Sequence, residues 1–152
     1  MIRRFGEPIR PHVKYRTRPG AYAVILKEGR VLLTFQERPE PEFQLPGGGI
    51  DPGESPIRAL HREVLEETGW RIAPLRRLGS YRRFTYMPEY KFWAQKTCRV
   101  YLAHAVRPVQ AISEPWHSAH LLMPAEAVAR VSNEGDRHFL AAALRDLGLL
   151  RA

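Results

Sequence analysis

The sequence predicts a layered α/β or α+β domain, and three observations carry that prediction. Strand-like apolar runs and helix-like segments interleave along 152 residues. One segment, 55–69, carries a full set of helix boundary signals. No repeat, low-complexity tract or long linker divides the chain, so one domain suffices. Hydrophobic content of 44% and charged content of 26% suit a globular chain that buries a core without staples. The single cysteine, Cys98, excludes an intrachain disulfide and fits a reducing compartment. No stretch approaches the roughly 20 apolar residues of a membrane span. The basic amino terminus lacks the apolar run of a signal peptide. The expectation is a cytoplasmic protein without membrane association.

Element by element, residues 1–19 combine Pro8, Pro11 and Pro19 with arginine and lysine and read as an extended basic arm, with a short strand near residues 13–17. The domain proper is expected over 20–152. Residues 21–26 (AYAVIL) and 31–35 (VLLTF), separated by KEGR, read as a hairpin. FQLPGGG reads as a short strand piece ending in a glycine loop. Ser55 suits a helix N-cap, Pro56 the first helical position and Gly69 the residue past the end. That helix, residues 56–68, is about 20 Å long at 1.5 Å per residue. A strand or hairpin follows over 72–86. TCRVYLAHAV, residues 97–106, alternates, with Cys98, Val100, Leu102 and His104 on one face. A short helix is expected near Pro124, and a last one over about 136–147, stopped by Gly148.

The helix at 56–68 contains the chemistry. Glu63, Glu66 and Glu67 share one face, within about 100° of arc at 100° per residue, beside an apolar stripe of Ile57, Leu60 and Val64. Like charges at these spacings cost about 0.2–0.5 kcal/mol per pair. The carboxyl end of a helix also disfavours negative charge. Local helix energetics therefore do not favour the arrangement. A solvated acidic face paired with Arg62 and Arg71 is one reading, and a face holding a hard cation is the other. Net charge of +8 suits phosphate-bearing partners but equally suits simple solubility.

The residues upstream bear on that choice. Gly47, Gly48 and Gly49 allow close backbone approach. Gly48 and Gly53 have P-loop spacing, but Glu54 stands where that motif needs lysine. Pro52 breaks a dinucleotide-binding glycine pattern. Gly48, five residues, Glu54, seven residues and then REVLEETGW instead resembles the Nudix hydrolase signature G-x5-E-x7-R-E-U-x-E-E-x-G-U, where U is bulky and apolar. Gly48, Glu54, Arg62, Glu63, Val64, Glu66, Glu67 and Gly69 match, and Trp70 fills the last position with an aromatic residue.

This resemblance implies the Nudix fold, a mixed β-sheet sandwiched between α-helices. It implies hydrolysis of a pyrophosphate linkage in a nucleoside diphosphate joined to another group, with magnesium or manganese as cofactor. Glu63, Glu66 and Glu67 are then the implied metal ligands, with the Gly47 carbonyl and Glu54 as further ones. Arg62 would orient the glutamates. The base that takes the proton of the attacking water is implied to be either Glu63 or a glutamate outside the box. Glu114 is the outside candidate, and Glu89 is the second choice.

RRFTYMPEYKFWAQK, residues 82–96, interleaves aromatics that can stack on bases with cations that can meet phosphates. Tyr86, Arg82, Arg83, Lys91 and Lys96 are the candidate substrate-binding residues. About half of the aromatics are expected to serve packing instead. Tyr86 and the AQK sequence resemble, more weakly, the dinucleoside polyphosphate and RNA 5′-pyrophosphohydrolase subgroup. A small-molecule nucleotide is the expected partner, an RNA 5′ end is a further candidate, and a homodimer is compatible. Two alternatives remain open: a catalytically silent Nudix-like nucleotide sensor and an RNA-binding protein. His61 is expected at the surface or in packing rather than on a metal, and His117 and His120, three apart on an expected strand, are not expected to share one.

Overall fold

The computed structural model describes residues 2–151. Its strands are β1 (Arg3–Gly6), β2 (Arg16–Lys27), β3 (Arg30–Gln36), β4 (Glu42–Gln44), β5 (Gly47–Gly49), β6 (Trp70–Met87), β7 (Phe92–Pro108) and β8 (His117–Leu122). Its helices are α1 (Pro56–Thr68), α2 (Pro124–Arg130) and α3 (Glu134–Asp146). One mixed sheet runs β1-β6-β7-β2-β3-β4, with β5 also paired to β2 and β8 to β3. The β1–β6 and β2–β7 pairs are parallel, and the others are antiparallel. No helix among the described residues is long and apolar enough to cross a membrane.

Helices cover both faces of the sheet, as the resemblance implied. On one face Ala21, Ala23, Ile25 and Leu32 meet Leu60 and Val64 of α1. On the other, Val24, Leu26, Val31 and Leu33 meet Leu140, Ala143 and Leu144 of α3 and Ala127 of α2. Strand β2 is thus apolar on both sides, which is why AYAVIL reads as a continuous run rather than an alternation. Each fully buried aliphatic side chain here is worth about 1.5–3 kcal/mol.

The β2–β3 hairpin closes on Glu28 (φ 50°) and Gly29 (φ 77°), with Lys27 opposite Arg30. Two consecutive positive φ values match the twist of a tight hairpin. Helix α1 begins and ends where its punctuation places it. The Ser55 side chain accepts the Arg58 N–H, and Gly69, at φ 74°, donates its N–H to the Leu65 carbonyl.

Two local expectations are corrected. Two parts of the segment read as an arm belong to the sheet: Arg3–Gly6 pairs with β6, and Arg16–Pro19 begins β2. The three glycines after Pro46 are a strand rather than a loop, with Gly20 opposite Gly49 and Tyr22 opposite Gly47. Side chains would forbid this approach. A Cβ on Gly47 would lie 2.2 Å from the Ala21 carbonyl oxygen.

Asp136, in the first turn of α3, ties that helix to the sheet. One carboxylate oxygen accepts the Tyr81 hydroxyl at 2.7 Å, and the other accepts the Leu45 N–H at 3.1 Å. Burial pushes this carboxyl above its ordinary range, while these two bonds pull it down. Asp136→Ala would leave two buried donors unpaired. The expected loss is about 1–3 kcal/mol in urea unfolding, with a smaller loss for Asp136→Asn. Equal losses in the two variants would contradict a role for these bonds.

Candidate active site

Box helix and glycine strand meet through a buried carboxylate. Glu67 lies on the inward side of α1, 7% exposed, and accepts the Gly47 N–H at 3.0 Å. Its neighbour on the same face, Glu63, lies against Gly48 so closely that a Cβ there would sit 2.5 Å from the carboxylate. Gly48 is glycine because the Glu63 carboxylate occupies the space of a side chain, and Gly47 because the Ala21 carbonyl does.

Arg62 organises the outer edge of the cluster. Its Nε and Nη2 each donate to Glu54 at 2.8 Å, a bidentate fork. Nη1 donates to Glu63 at 2.9 Å and approaches Glu66 at 3.5 Å, while Nη2 also donates to the Gly49 carbonyl at 3.0 Å. Asp51 lies 3.4 Å from Nη2. The Arg62 fork holds the Glu54 carboxyl down at about 2. The same contacts raise the Arg62 pKa, so it stays charged.

Glu63 and Glu67 shift in the direction opposite to Glu54. Burial raises both, Glu67 strongly, and the neighbouring carboxylates Glu66 and Glu114 push in the same direction. Arg62 opposes the rise at Glu63, and the Gly47 N–H opposes it at Glu67.

Glu114 is delivered to this cluster by the end of α1. The Ser113 and Glu114 N–H groups donate to the Glu66 carbonyl at 3.0 and 2.9 Å. Val109 N–H donates to the Gly69 carbonyl at 2.9 Å. The carbonyls that a helix leaves unpaired at its end thus anchor the loop carrying Glu114.

A cavity of about 750 Å³ opens beside the cluster. Gly47, Glu63, Glu67 and Glu114 line it, as do Arg83, Lys96 and Tyr86 from β6 and β7. Glu89 lines it as well, from the β6–β7 turn. Glu54, Arg62 and Glu66 are not among its lining residues and join it through the ion pairs above. Two expected substrate residues are not brought in. Arg82 is exposed and next to Arg83, so strand alternation turns it to the opposite face. Lys91 sits exposed in the β6–β7 turn at φ 57°. Tyr86 also packs on Trp93 with ring centroids 5.3 Å apart. His117, whose ring bonds Thr34 at 2.7 Å, also lines the cavity.

The donor set fits a hard divalent cation. One guanidinium faces Asp51, Glu54, Glu63 and Glu66, while Glu67 and Glu114 have no cation within ion-pair distance among the described residues. Such an excess of carboxylate oxygen, partly sheltered from water, is what magnesium and manganese bind. The side chains are spread along Arg62 rather than gathered. Among the described residues no three His, Cys, Asp or Glu side chains converge closely enough to enclose an ion. Gly47 donates its N–H to Glu67, which leaves its carbonyl as the group expected to face the ion.

Sequence reasoning missed Arg18, Tyr22, Tyr81 and Asp136, which also line the cavity. Arg18 belongs to the segment read as an arm, and Asp136 looks like an ordinary first-turn acid.

Known proteins resemble this chain in sequence and in fold. A Helicobacter pylori (strain G27) RNA pyrophosphohydrolase is 37% identical over 109 residues, 62% of this chain and 68% of that protein. A Bacillus subtilis (strain 168) protein provisionally named an 8-oxo-dGTP diphosphatase is 40% identical over 70 residues. That match spans 46% of this chain and only 47% of the relative. Among solved structures, the MutT protein from Methanosarcina mazei Go1 superposes with a TM-score of 0.69 at 22% identity, covering 89% of this chain and 98% of that one. The family model described as the NUDIX domain matches residues 16–143, taking in the glycine strand, the glutamate helix and the Glu114 loop, and the chain belongs to the Nudix family.

Proposed function

We propose that this protein is a metal-dependent pyrophosphohydrolase acting on a nucleoside diphosphate linked to another moiety. The observation that carries the reading is the carboxylate excess around one arginine, set beside a cavity that Arg18, Arg83 and Lys96 also line. Glu63, Glu66 and Glu67, with Glu54 behind them, would hold the ion, and Arg62 would keep their carboxylates oriented. When bound, magnesium or manganese supplies neutralisation of phosphate oxygens and acidification of water.

The remaining work falls to the chain's own groups. Arg83 and Lys96 meet the phosphates, and Tyr86 offers a ring at the rim for a base. Water attacks one phosphorus, the bridging P–O bond breaks, and the bridging oxygen departs with the electron pair. Glu114 takes the water's proton. Among the carboxylates that line the cavity, it is the one whose own N–H anchors it to the Glu66 carbonyl of α1. A panel of nucleoside triphosphates, dinucleoside polyphosphates, ADP-ribose and 5′-triphosphate RNA, assayed for phosphate or nucleotide release with and without magnesium, tests the reading. Metal-dependent release from at least one is expected, and chelation should abolish it.

Glu67→Gln keeps the acceptor for the Gly47 N–H but removes a buried charge. Turnover should fall roughly 100-fold or more, at or beyond the upper end of losses from groups supporting a metal. Without added metal, Tm at neutral pH should hold or rise. A variant that loses Tm together with turnover would mark Glu67 as structural.

The pH dependence has a definite sign. Folded-state carboxyls raised above the ordinary glutamate value of 4.5 favour their neutral forms. Their contribution to stability is present at low pH and fades as pH rises through the raised values. Ion binding needs the charged forms. The acid limb of kcat/KM should therefore lie above pH 4.5, and Glu67→Gln should remove its dependence on that residue. A limb at or below that value would contradict the buried glutamates' part in it.

Glu114→Gln should lower kcat about 100-fold or more, in the range of a lost general base, while Glu89→Gln changes it little. The reverse order would transfer the proton acceptor to the hairpin.

A further inference from the structure

The turn that carries Glu114 is held from three sides. Behind it, the Ser113 and Glu114 N–H groups donate to the Glu66 carbonyl at the end of α1. Ahead of it, His117 opens β8, is the register partner of Gln36 and bonds the buried Thr34 hydroxyl at 2.7 Å. Between these anchors lie only Pro115 and Trp116. Proline fixes one torsion of that link. Trp116 supplies the third anchor, on the loop of residues 37–41 that joins β3 to β4. Its carbonyl accepts the Glu37 N–H at 2.9 Å. The Arg38 guanidinium carbon lies 4.0 Å from the centroid of its ring, within the range of a cation–π contact.

Trp116 is an unfavourable choice on local grounds. Its φ of 67° places a bulky side chain in the left-handed region, where glycine is at ease and such residues are outliers. The residue is 52% exposed, so burial does not explain it. Strain of this kind persists where the surroundings over-determine a conformation, and it gathers at functional sites. What the ring meets is Arg38. Neither residue lines the cavity, yet their neighbours do, Pro39 and Glu40 on one side and Glu114 and His117 on the other. The contact therefore ties two stretches of the cavity wall together from outside the cavity.

We propose that Arg38 and Trp116 are positioning residues, clasping the loop after β3 to the turn after Glu114 so that the Glu114 carboxylate stays aimed at the attacking water. The proposal rests on the reading of Glu114 as proton acceptor. Among the described residues the Glu114 carboxylate has no ion pair to hold it, so its aim depends on its backbone. A reacting group displaced by about an ångström loses much of its effect.

Amide hydrogen exchange and turnover, measured on the same variants, test the clasp. Turnover is followed with diadenosine tetraphosphate and with a 5′-triphosphorylated oligoribonucleotide, each with magnesium. Arg38→Ala and Trp116→Ala should speed exchange at Ser113 and Glu114 about tenfold and leave the core amides of β2 unchanged. Their kcat should fall about tenfold at constant KM, the pattern of an interaction that matters only in the transition state. Trp116→Phe should keep most of the activity. Arg38→Lys should keep part of it, since lysine retains the charge but not the planar stack. Trp116→Gly relieves the backbone, so its Tm should hold while its kcat falls as in Trp116→Ala; a purely structural role would make activity follow Tm. Added to Glu114→Gln, Arg38→Ala should cost nothing more. Arg76→Ala, exposed on β6, should change neither readout.

Unchanged exchange at both amides overturns the proposal whatever the turnover. So does a rise in KM at constant kcat, which would make Trp116 a substrate contact. Wild-type turnover in Arg38→Ala when Glu114→Gln is inactive overturns it too, as does a full further loss when the two are combined. Faster exchange in a protein whose turnover survives Glu114→Gln removes the reading of Glu114 as proton acceptor and leaves the clasp. Hydrolysis of neither substrate by the wild type removes the pyrophosphohydrolase reading for both, and exchange then decides the clasp alone.

Discussion

A carboxylate that the fold buries, with no cation at ion-pair distance among the described residues, organises this molecule. Glu67 accepts one main-chain N–H, from Gly47, and that contact joins helix α1 to strand β5. Because β5 pairs with β2, the same contact fixes the helix against the centre of the sheet. It works only if the strand has no side chains, since a Cβ on Gly47 or Gly48 would collide with the Ala21 carbonyl or the Glu63 carboxylate. Removing charge from water at such a site is costly unless it is paired or neutralised. The fold accepts that cost beside a cavity, where a charged ligand can offset it.

Charge is concentrated on two walls. Acids lie on α1 and on the loop anchored at its end, while the cations stand on β2, β6 and β7, among further acids at Glu7, Glu42, Glu89 and Asp136. Arg62 is the exception, a cation within the acidic wall, and it satisfies Glu54 first, by a bidentate fork. Neither wall is satisfied by the other, so the cavity keeps both charges available. An anhydride with its cation supplies both complements at once, negative oxygens for the sheet and positive charge for the helix.

Much of this was written locally in the sequence. Ser55, Pro56 and Gly69 delimit α1 because capping depends on a few adjacent residues. The shared face of Glu63, Glu66 and Glu67 follows from helical geometry alone. What resisted reading depended on distant pairing. Three glycines carry no periodicity, so their strand character exists only through β2. Arg82 and Arg83 look like one patch in sequence, yet alternation sends them to opposite faces. Arg18 reaches the cavity through the parallel pairing of β2 with β7, strands far apart in the chain. Asp136 appeared as a helix-start acid, and its bonds to Tyr81 and Leu45 arise only when α3 docks.

The central claim is that the carboxylate face of α1 holds a divalent cation. Manganese binding followed by electron paramagnetic resonance measures this directly, without substrate. The account predicts saturable binding by the wild-type protein, greatly weakened when Glu63, Glu66 and Glu67 are together replaced by glutamine in a protein that remains folded. Equal binding by the two proteins, or none by the wild type, would contradict it.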